Sequence, residues 1–406
     1  MRISTPFIQM REIETIVSQQ RSLMETQNQL ATGKRILAPS DDPVATSQSL
    51  TLKQAIATIN QYQNNATAAT NRLSVEESIL GQVTEVMQRV RELTVQGMNA
   101  TQSNDSRKAI AVEVRQRMED LLALANSTDG NGEYLFAGAQ VQTKPFVPNA
   151  GGGFSYLGDE THRFLQISSE RRIADSDSGA AVFQQIRNGT GTYVTQANPA
   201  NTGTGIILPS GDSGSFVPSL PNGYAIEFTQ ALPGDPLTYE VRDSSGAVVS
   251  GPLPYSDGDS ISVGGTEVTI SATPLDGDSF SVRASNHQDI FQTVKNIAEG
   301  LESSLDNNAD WAKFLNGAND SLMALDQGIN KAGSVRASVG ARLNAIDSQG
   351  YINEDQILQS KQGLSKIEDV DYAEAVSRLN LQLTGLEAAQ QSYVKVQGLS
   401  LFNYIR

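Results

Sequence analysis

Ser213, in Gly211-Asp212-Ser213-Gly214-Ser215, is the best candidate for a nucleophile in this chain. A serine attacks a carbonyl only when a histidine takes its proton and a carboxylate orients that histidine. His162, in Asp159-Glu160-Thr161-His162-Arg163, is the one histidine upstream, and His287 is the only other in 406 residues. Gly, Asp and Ser are also the ordinary residues of turns. A surface turn is therefore the simpler reading, and an exported serine hydrolase or effector using Ser213 and His162 is the rival from another class. Asp175-Ser176-Asp177-Ser178-Gly179 begins like a calcium loop but lacks the further spaced oxygen ligand and the closing bidentate glutamate. Asp257-Gly258-Asp259 and Asp276-Gly277-Asp278 read as turns. Ala31-Thr32-Gly33-Lys34-Arg35 has a Gly-Lys pair without the glycine spacing of a phosphate loop. With no cysteine, disulfides, thiol catalysis and cysteine-ligated zinc are excluded. No catalytic residue, metal or cofactor is expected, and the chain reads as a non-enzyme.

Such groups would have to be held by one of two very different kinds of chain. Of 14 prolines, three lie at Pro6, Pro39 and Pro43, and the rest fall between Pro145 and Pro274. Proline disrupts helix interiors, so long helices are confined to the flanks. Leu80, Val83, Met87 and Val90 step by three and four, as do Ile110, Val114, Met118, Leu121 and Leu124, which makes two amphipathic helices. Asn104-Asp105-Ser106 reads as the turn and cap before the second. Gly33 to Pro39 is a break, and Ser40-Asp41-Asp42-Pro43 is a strong helix start, with a capping acid and proline at the first helical position. Gly33, Pro39, Asp41, Asp42 and Pro43 together form the candidate hinge.

The two ends carry the most regular apolar spacing. Tyr372, Val376, Leu379, Leu383, Leu386, Gln390, Tyr393 and Gln397 alternate steps of four and three, a coiled-coil seam. Ile3, Met10, Val17 and Met24 recur every seven residues, beside Ile16, Leu23 and Leu30. Two helices packed on their own domain are the bland reading. The intervening chain is large enough to fold alone, however, so partner-dependent helices, disordered in the monomer, are the better one. The assembly interface is assigned to Ile3, Met10, Val17, Met24, Tyr372, Val376, Leu379, Leu383, Leu386 and Tyr393.

Between the flanks, Tyr224–Phe228, Thr238–Val241 and Thr266–Ile270 alternate apolar and polar residues and are separated by Gly, Pro, Asp and Ser clusters, the pattern of an all-β insert. Residues 145–284 hold 15 acidic and 6 basic residues, whereas the ends are close to neutral. Charge collects where the chain faces water, as in an assembly with an inside and an outside. A net charge of −15 argues against nucleic acid and anionic membrane as partners. No run approaches eighteen apolar residues, so no membrane span is predicted. The opening MRISTPFIQM lacks a basic segment followed by an apolar one, so export, if it occurs, is expected without a cleaved leader. The fold class is α+β: a long antiparallel helical bundle or coiled coil formed by both termini, with an inserted all-β domain.

Residues Leu30 to Pro43 (LATGKRILAPSDDP) closely resemble the N-terminal signature of the flagellin superfamily. The likeness continues through Asn65 and through Met87 to Leu93 (MQRVREL). Ser365 to Ala373 (SKIEDVDYA) is similar to the C-terminal signature and is preceded by the similar Arg336 to Arg342 (RASVGAR). Met1 to Thr5, Gly132 to Gly138 (GEYLFAG) and Val182 to Ile186 (VFQQI) resemble the branch of the superfamily that sits between hook and filament. The ending, Leu399 to Arg406, departs from the usual Leu-Leu. The resemblance implies an inner domain from 1–42 and 367–406, a helical-bundle domain from 43–144 and 285–366, and an outer β-rich domain from 145–284. It also implies a structural protein of the bacterial flagellum, outside the cell, exported by the flagellar type III apparatus and required for filament assembly and motility. Its implied partners are a ring of like subunits, hook-associated protein 1, flagellin and a cytoplasmic export chaperone. A filament subunit is the alternative within the family, and an adhesin carried by the insert is a further one outside it.

Overall fold

In a computed structural model, residues 5–211, 215–232 and 234–398 are described. The proline-poor flanks are helical, as the spacing predicts: α1 (Thr5–Thr32), α2 (Pro43–Gly97), α3 (Asn104–Ala125), α4 (Ile290–Glu302), α5 (Asn308–Glu368) and α6 (Tyr372–Gly398). Among the described residues no helix is long and apolar enough to cross a membrane. The chain divides into two compact units, residues 1–64 with 348–406 and residues 65–347. The divisions fall inside α2 and α5, so the Pro43 break lies within the first unit.

In the second unit the helical stripe of α2 is fully used. Leu73, Leu80, Val83, Met87, Val90 and Leu93 are all at most 2% exposed. They join Val114 and Leu121 of α3, Val294, Ile297 and Leu301 of α4 and Leu325 of α5 in one core. Burying a side chain of this size contributes about 1.5–3 kcal/mol. This core is the main source of stability for the unit.

The middle of the chain is β-rich, but it is not one body. Short antiparallel pairs come first: β1 (Phe146–Pro148) with β2 (Phe154–Tyr156), and β3 (Phe164–Gln166) with β4 (Arg172–Ala174). Phe146, Ile167, Ile173 and Phe183 from this stretch belong to the helical core, where Phe146, Phe183 and Phe291 form edge-on, tilted and stacked ring contacts at 5.2–6.0 Å. A second core begins at Tyr193. A five-stranded antiparallel sheet runs in the order β10-β9-β8-β13-β6. Its strands are β6 (Tyr193–Ala197), β8 (Tyr224–Thr229), β9 (Thr238–Arg242), β10 (Val248–Pro254) and β13 (Ser279–Ala284). A three-stranded sheet, β11-β12-β7, comprises β7 (Ile206–Pro209), β11 (Ser260–Val263) and β12 (Thr266–Ser271). Inward residues of both sheets, including Phe228, Ile226, Val268, Ile270, Phe280 and Val282, make the second core. The neck between the two cores is a short pair, β5 (Ile186–Arg187) with β14 (His287–Gln288).

A single buried side chain fastens the three-stranded sheet to α5. Asn316 accepts the Ile207 N–H at 3.0 Å and donates to the Gly205 carbonyl at 2.9 Å and the Ala312 carbonyl at 3.0 Å. β7 is an edge strand, and Asn316 satisfies the backbone groups that the next strand would have taken. Replacing Asn316 with Ala strands two buried backbone groups. We expect thermal or urea unfolding to show a loss of about 1–3 kcal/mol, and unchanged stability would show that this clip is dispensable.

Candidate assembly surface

α1 and α6 pack on each other, and their seam differs in a specific way from the predicted one. On α1 the row Glu12, Ile16, Gln19, Leu23, Thr26 and Leu30 is half-buried or buried, with buried Gln29 beside it. On α6 the row is Ala375, Leu379, Gln382, Leu386, Ala389 and Tyr393, with half-buried Gly385 beside it. Both rows alternate steps of four and three, so the coiled-coil period is real. Of the predicted interface, Leu379, Leu386 and Tyr393 lie in this internal seam, opposite Ile16, Leu23 and Leu30. The other half of the predicted α6 row, Val376 and Leu383, is replaced in the seam by Ala375, Gln382 and Ala389.

The displaced residues face outward. Met10 is 64% exposed, Met24 62%, Val17 47%, Tyr372 57%, Val376 46% and Leu383 39%. Phe7, Ile13, Leu381 and Val394 add to this surface. Ile3 lies outside the described residues. On α6 the i+3 and i+4 neighbours of Leu379 lie on opposite sides of it, so one partner helix covers Gln382 and leaves Leu383 open. Val17 and Met24 of α1 instead follow the seam residues Ile16 and Leu23 by one position and lie about 100° further round the helix.

The internal seam is also polar. Gln382 Nε2 donates to the Ser22 hydroxyl at 2.9 Å. The buried Glu12 Oε2, Gln19 Oε1 and Gln382 Oε1 have no partner among the described residues. A buried oxygen left without a donor costs about 1–3 kcal/mol. The helix pair is therefore a weak unit with apolar side chains to spare.

The two chain breaks beside these helices are tied to one another. Lys34 and Asp369 form an isolated antiparallel bridge, with Arg35 N–H donating to the Glu368 carbonyl at 2.6 Å and Val370 N–H to the Gly33 carbonyl at 3.0 Å. Arg35 Nη2 and Nε also donate to the Ile367 carbonyl at 2.9 and 3.2 Å. Gly33 sits at φ +70°, and a Cβ there would lie 3.0 Å from the Tyr372 hydroxyl, so the turn admits little but glycine. Asp41 accepts the Leu37 and Ala38 N–H groups at 3.1 and 2.8 Å, with Pro39 exposed in the turn between. Asp42 accepts the Ala45 N–H at 3.0 Å and caps α2, whose first residue is Pro43. Asp371 caps α6 in the same way through Ala373 and Glu374. The hinge residues thus make a hydrogen-bonded joint.

Glu368 is the anchor of that joint and was not among the residues singled out by sequence. Its carboxylate accepts from Lys53 and Ser49 and lies 3.6 Å from Lys34. The Lys53 and Ser49 hydrogen bonds hold its pKa below the usual glutamate value, against the effect of burial. The residue sits in the SKIEDVDYA signature, but its partners are more than 300 residues away, beyond any periodicity.

The acidic loop that begins like a calcium site is occupied by arginines. Asp175 accepts from Arg163 Nε at 2.8 Å, and Arg163 Nη1 reaches Glu133 at 3.0 Å. Asp177 pairs with Arg342, and its backbone N–H donates to Glu76 Oε1 at 3.1 Å. Burial, with Asp177 beside it, pushes Glu76 well above the usual carboxylate range. Asp257 accepts the Ala272 N–H at 2.7 Å and Asp276 the Gln230 N–H at 2.9 Å, so each ties its turn to a distant stretch of backbone. His162 lies with Nδ1 at 3.3 Å from the Ser176 carbonyl, and Ser213 lies outside the described residues.

Against known proteins, residues 3–141 match the bacterial flagellin N-terminal helical region and residues 322–405 the bacterial flagellin C-terminal helical region. Flagellar hook-associated protein 3 of Escherichia coli is 28% identical over 402 residues, covering 99% of each chain. The protein of the same name from Salmonella typhimurium is 27% identical over 406 residues and the full length of both. Among solved structures, FlgL of Xanthomonas campestris is 36% identical with a TM-score of 0.71, covering 77% of this chain and 99% of that one. The flagellar hook associated protein-3 of Legionella pneumophila is 31% identical with a TM-score of 0.73, covering 78% and 98%.

Glu368 gives the joint a pH dependence. Its folded pKa is depressed, so the stabilisation is present above the unfolded value of about 4.3 and is lost as pH falls through the folded value. Glu368→Gln should cost about 1 kcal/mol at neutral pH, since both lysines are half-exposed and screened. Hydrogen exchange at the Arg35 and Val370 amides, compared at pH 7 and at pH 4 or below, should show acid-dependent opening in the wild type. That dependence should be flattened in Glu368→Gln.

Proposed function

This chain belongs to the flagellin family, and we propose that within it the chain is a structural subunit of the hook–filament junction of the bacterial flagellum. The observation that carries this reading is the pair of outward apolar rows on α1 and α6. One face of each helix is satisfied inside the chain, poorly, and the other is a strip of Met, Val, Leu and Tyr with no cover. Full-length similarity to hook-associated proteins 3 supports the junction rather than the filament. Flagellin of Salmonella moscow, by comparison, is matched over 58% of its length at 24% identity.

In this reading like subunits form a ring, with α1 and α6 of neighbours closing over Met10, Val17, Met24, Val376 and Leu383. The ring joins hook-associated protein 1 on one side and flagellin on the other. The weak polar seam between α1 and α6 suits helices that complete their ordering only on assembly, when the ordering cost is met by new contacts. Export then proceeds by the flagellar type III route, with a chaperone covering the apolar rows in the cytoplasm. The role is mechanical, with no reaction catalysed and no cofactor held.

The two rows separate assembly from folding. Val17→Asp or Leu383→Asp removes about 1.5–3 kcal/mol of apolar burial at each subunit contact and adds the cost of a buried carboxylate. In a strain lacking the native gene, these variants should leave hooks without filaments and flagellin in the medium. Their purified monomers should keep wild-type helix content by circular dichroism. Filaments of normal length and number would overturn the assignment. Leu386→Asp, in the internal seam, should instead lower the helix content of the monomer.

A further inference from the structure

Two arginines in the described chain are buried, Arg72 and Arg107, each 4% exposed, and they are treated differently. Arg72 meets Asp129 at 2.6 Å and Glu133 at 3.2 Å. Arg107 forms no ion pair with any described residue. Its Nη1 donates to the Gln102 carbonyl at 2.8 Å, its Nη2 to the Asn104 side-chain oxygen, and its Nε has no partner. One face lies over the Trp311 ring, 5.4 Å from its centroid. Among the described residues its partners are thus neutral oxygens and an aromatic face, and burial pushes its pKa down. An unmatched buried charge is costly to a fold and is ordinarily paired.

Arg107 lines an open pocket of about 410 Å³ with Ser103, Asn104, Asn307, Asn308 and Trp311. α3 starts at Asn104 and α5 at Asn308, so the first turns of two long helices open into the same space. Ser103 and Asn307 cap one N–H each, of Ser106 at 3.1 Å and of Asp310 at 2.8 Å. The remaining first-turn N–H groups have no intrahelical acceptor, and both dipoles present their positive ends here. Asp306 is the acid on the pocket wall, and Asp105 and Asp310 lie in the two first turns. None of the three pairs with Arg107.

We propose that this pocket binds one compact oxyanion of the phosphate or carboxylate class, held by Arg107 and the two helix N-termini. The anion supplies the counter-charge that Arg107 lacks, and its oxygens replace Asn104 and the Gln102 carbonyl as acceptors. Its source is either a free ion or the carboxylate of a neighbouring protein chain, and both present the same chemistry to the site.

Trp311 is the only tryptophan of the chain, so its emission reports on this pocket alone. Sodium phosphate and sodium acetate are titrated into the full-length protein at constant ionic strength set with chloride, with heat and tryptophan emission followed together. The expected result is saturable one-to-one binding of at least one of the two anions, accompanied by an emission change. Asn307→Asp keeps a capping side chain on α5 but places a negative charge on the pocket wall. It should weaken binding by about ten-fold or more without lowering the melting temperature in chloride. If emission in chloride alone also changes with protein concentration, and phosphate reverses it, the anion is a neighbouring chain's carboxylate. A response to added anion only makes it the free ion. No saturable heat or emission change with either anion, or equal responses from wild type and Asn307→Asp, overturns the proposal.

Discussion

A helix with a single partner can bury one side of itself, and among the described residues α1 and α6 pack chiefly on each other. Their sequences nevertheless carry apolar residues on both flanks of the coiled-coil row. The chain resolves the conflict by spending Leu379, Leu386 and Tyr393 internally with Ile16, Leu23 and Leu30. Ala375, Gln382 and Ala389 complete that side, and Val376, Leu383, Met10, Val17 and Met24 stay in water. A monomer designed to stand alone would bury the larger residues and expose Gln382. The inverse arrangement makes sense when the larger residues are reserved for a second surface.

That surface is useful only if the helices bearing it start in fixed places, which is the task of the joint. Both breaks in the chain, after α1 and before α6, use the same devices: an aspartate cap, backbone hydrogen bonds to the opposite break, and a shared glutamate. Glu368 matters because it gathers Lys34, Lys53 and Ser49 onto the end of α5. Its charge is favoured by hydrogen bonds that outweigh its partial burial, a balance that selects the ionised form at neutral pH.

The second unit follows a different economy. Its apolar stripes are consumed in a conventional core, and its buried charges are organised by arginine. Arg72, Arg163 and Arg342 hold Asp129, Glu133, Asp175 and Asp177, the last two of which in sequence begin like a cation loop. Arg107 is the departure from that pattern, with an aromatic ring and neutral oxygens where its counterparts have carboxylates. The β-rich middle is likewise divided by packing. Phe146 and Phe183 serve the helical core, while Tyr193 onward closes a core of its own.

Sequence alone determined the helical flanks, the β character of the middle, the helix start at Pro43 and the heptad period of both ends. These are local matters of proline placement, capping chemistry and periodicity, each legible within a few turns of chain. The family was legible for the same reason, since its signatures are contiguous. Tertiary structure decided which of the apolar rows faces inward. On α6 the i+3 and i+4 neighbours of Leu379 are equivalent until a partner helix chooses between them, and on α1 the choice fell on Ile16, Leu23 and Leu30 rather than Met10, Val17 and Met24. It also decided that Gly33 meets Val370 and that Glu368 meets Lys53. Those contacts join residues more than 300 positions apart, and no local pattern records which distant side chains the folded chain will bring together.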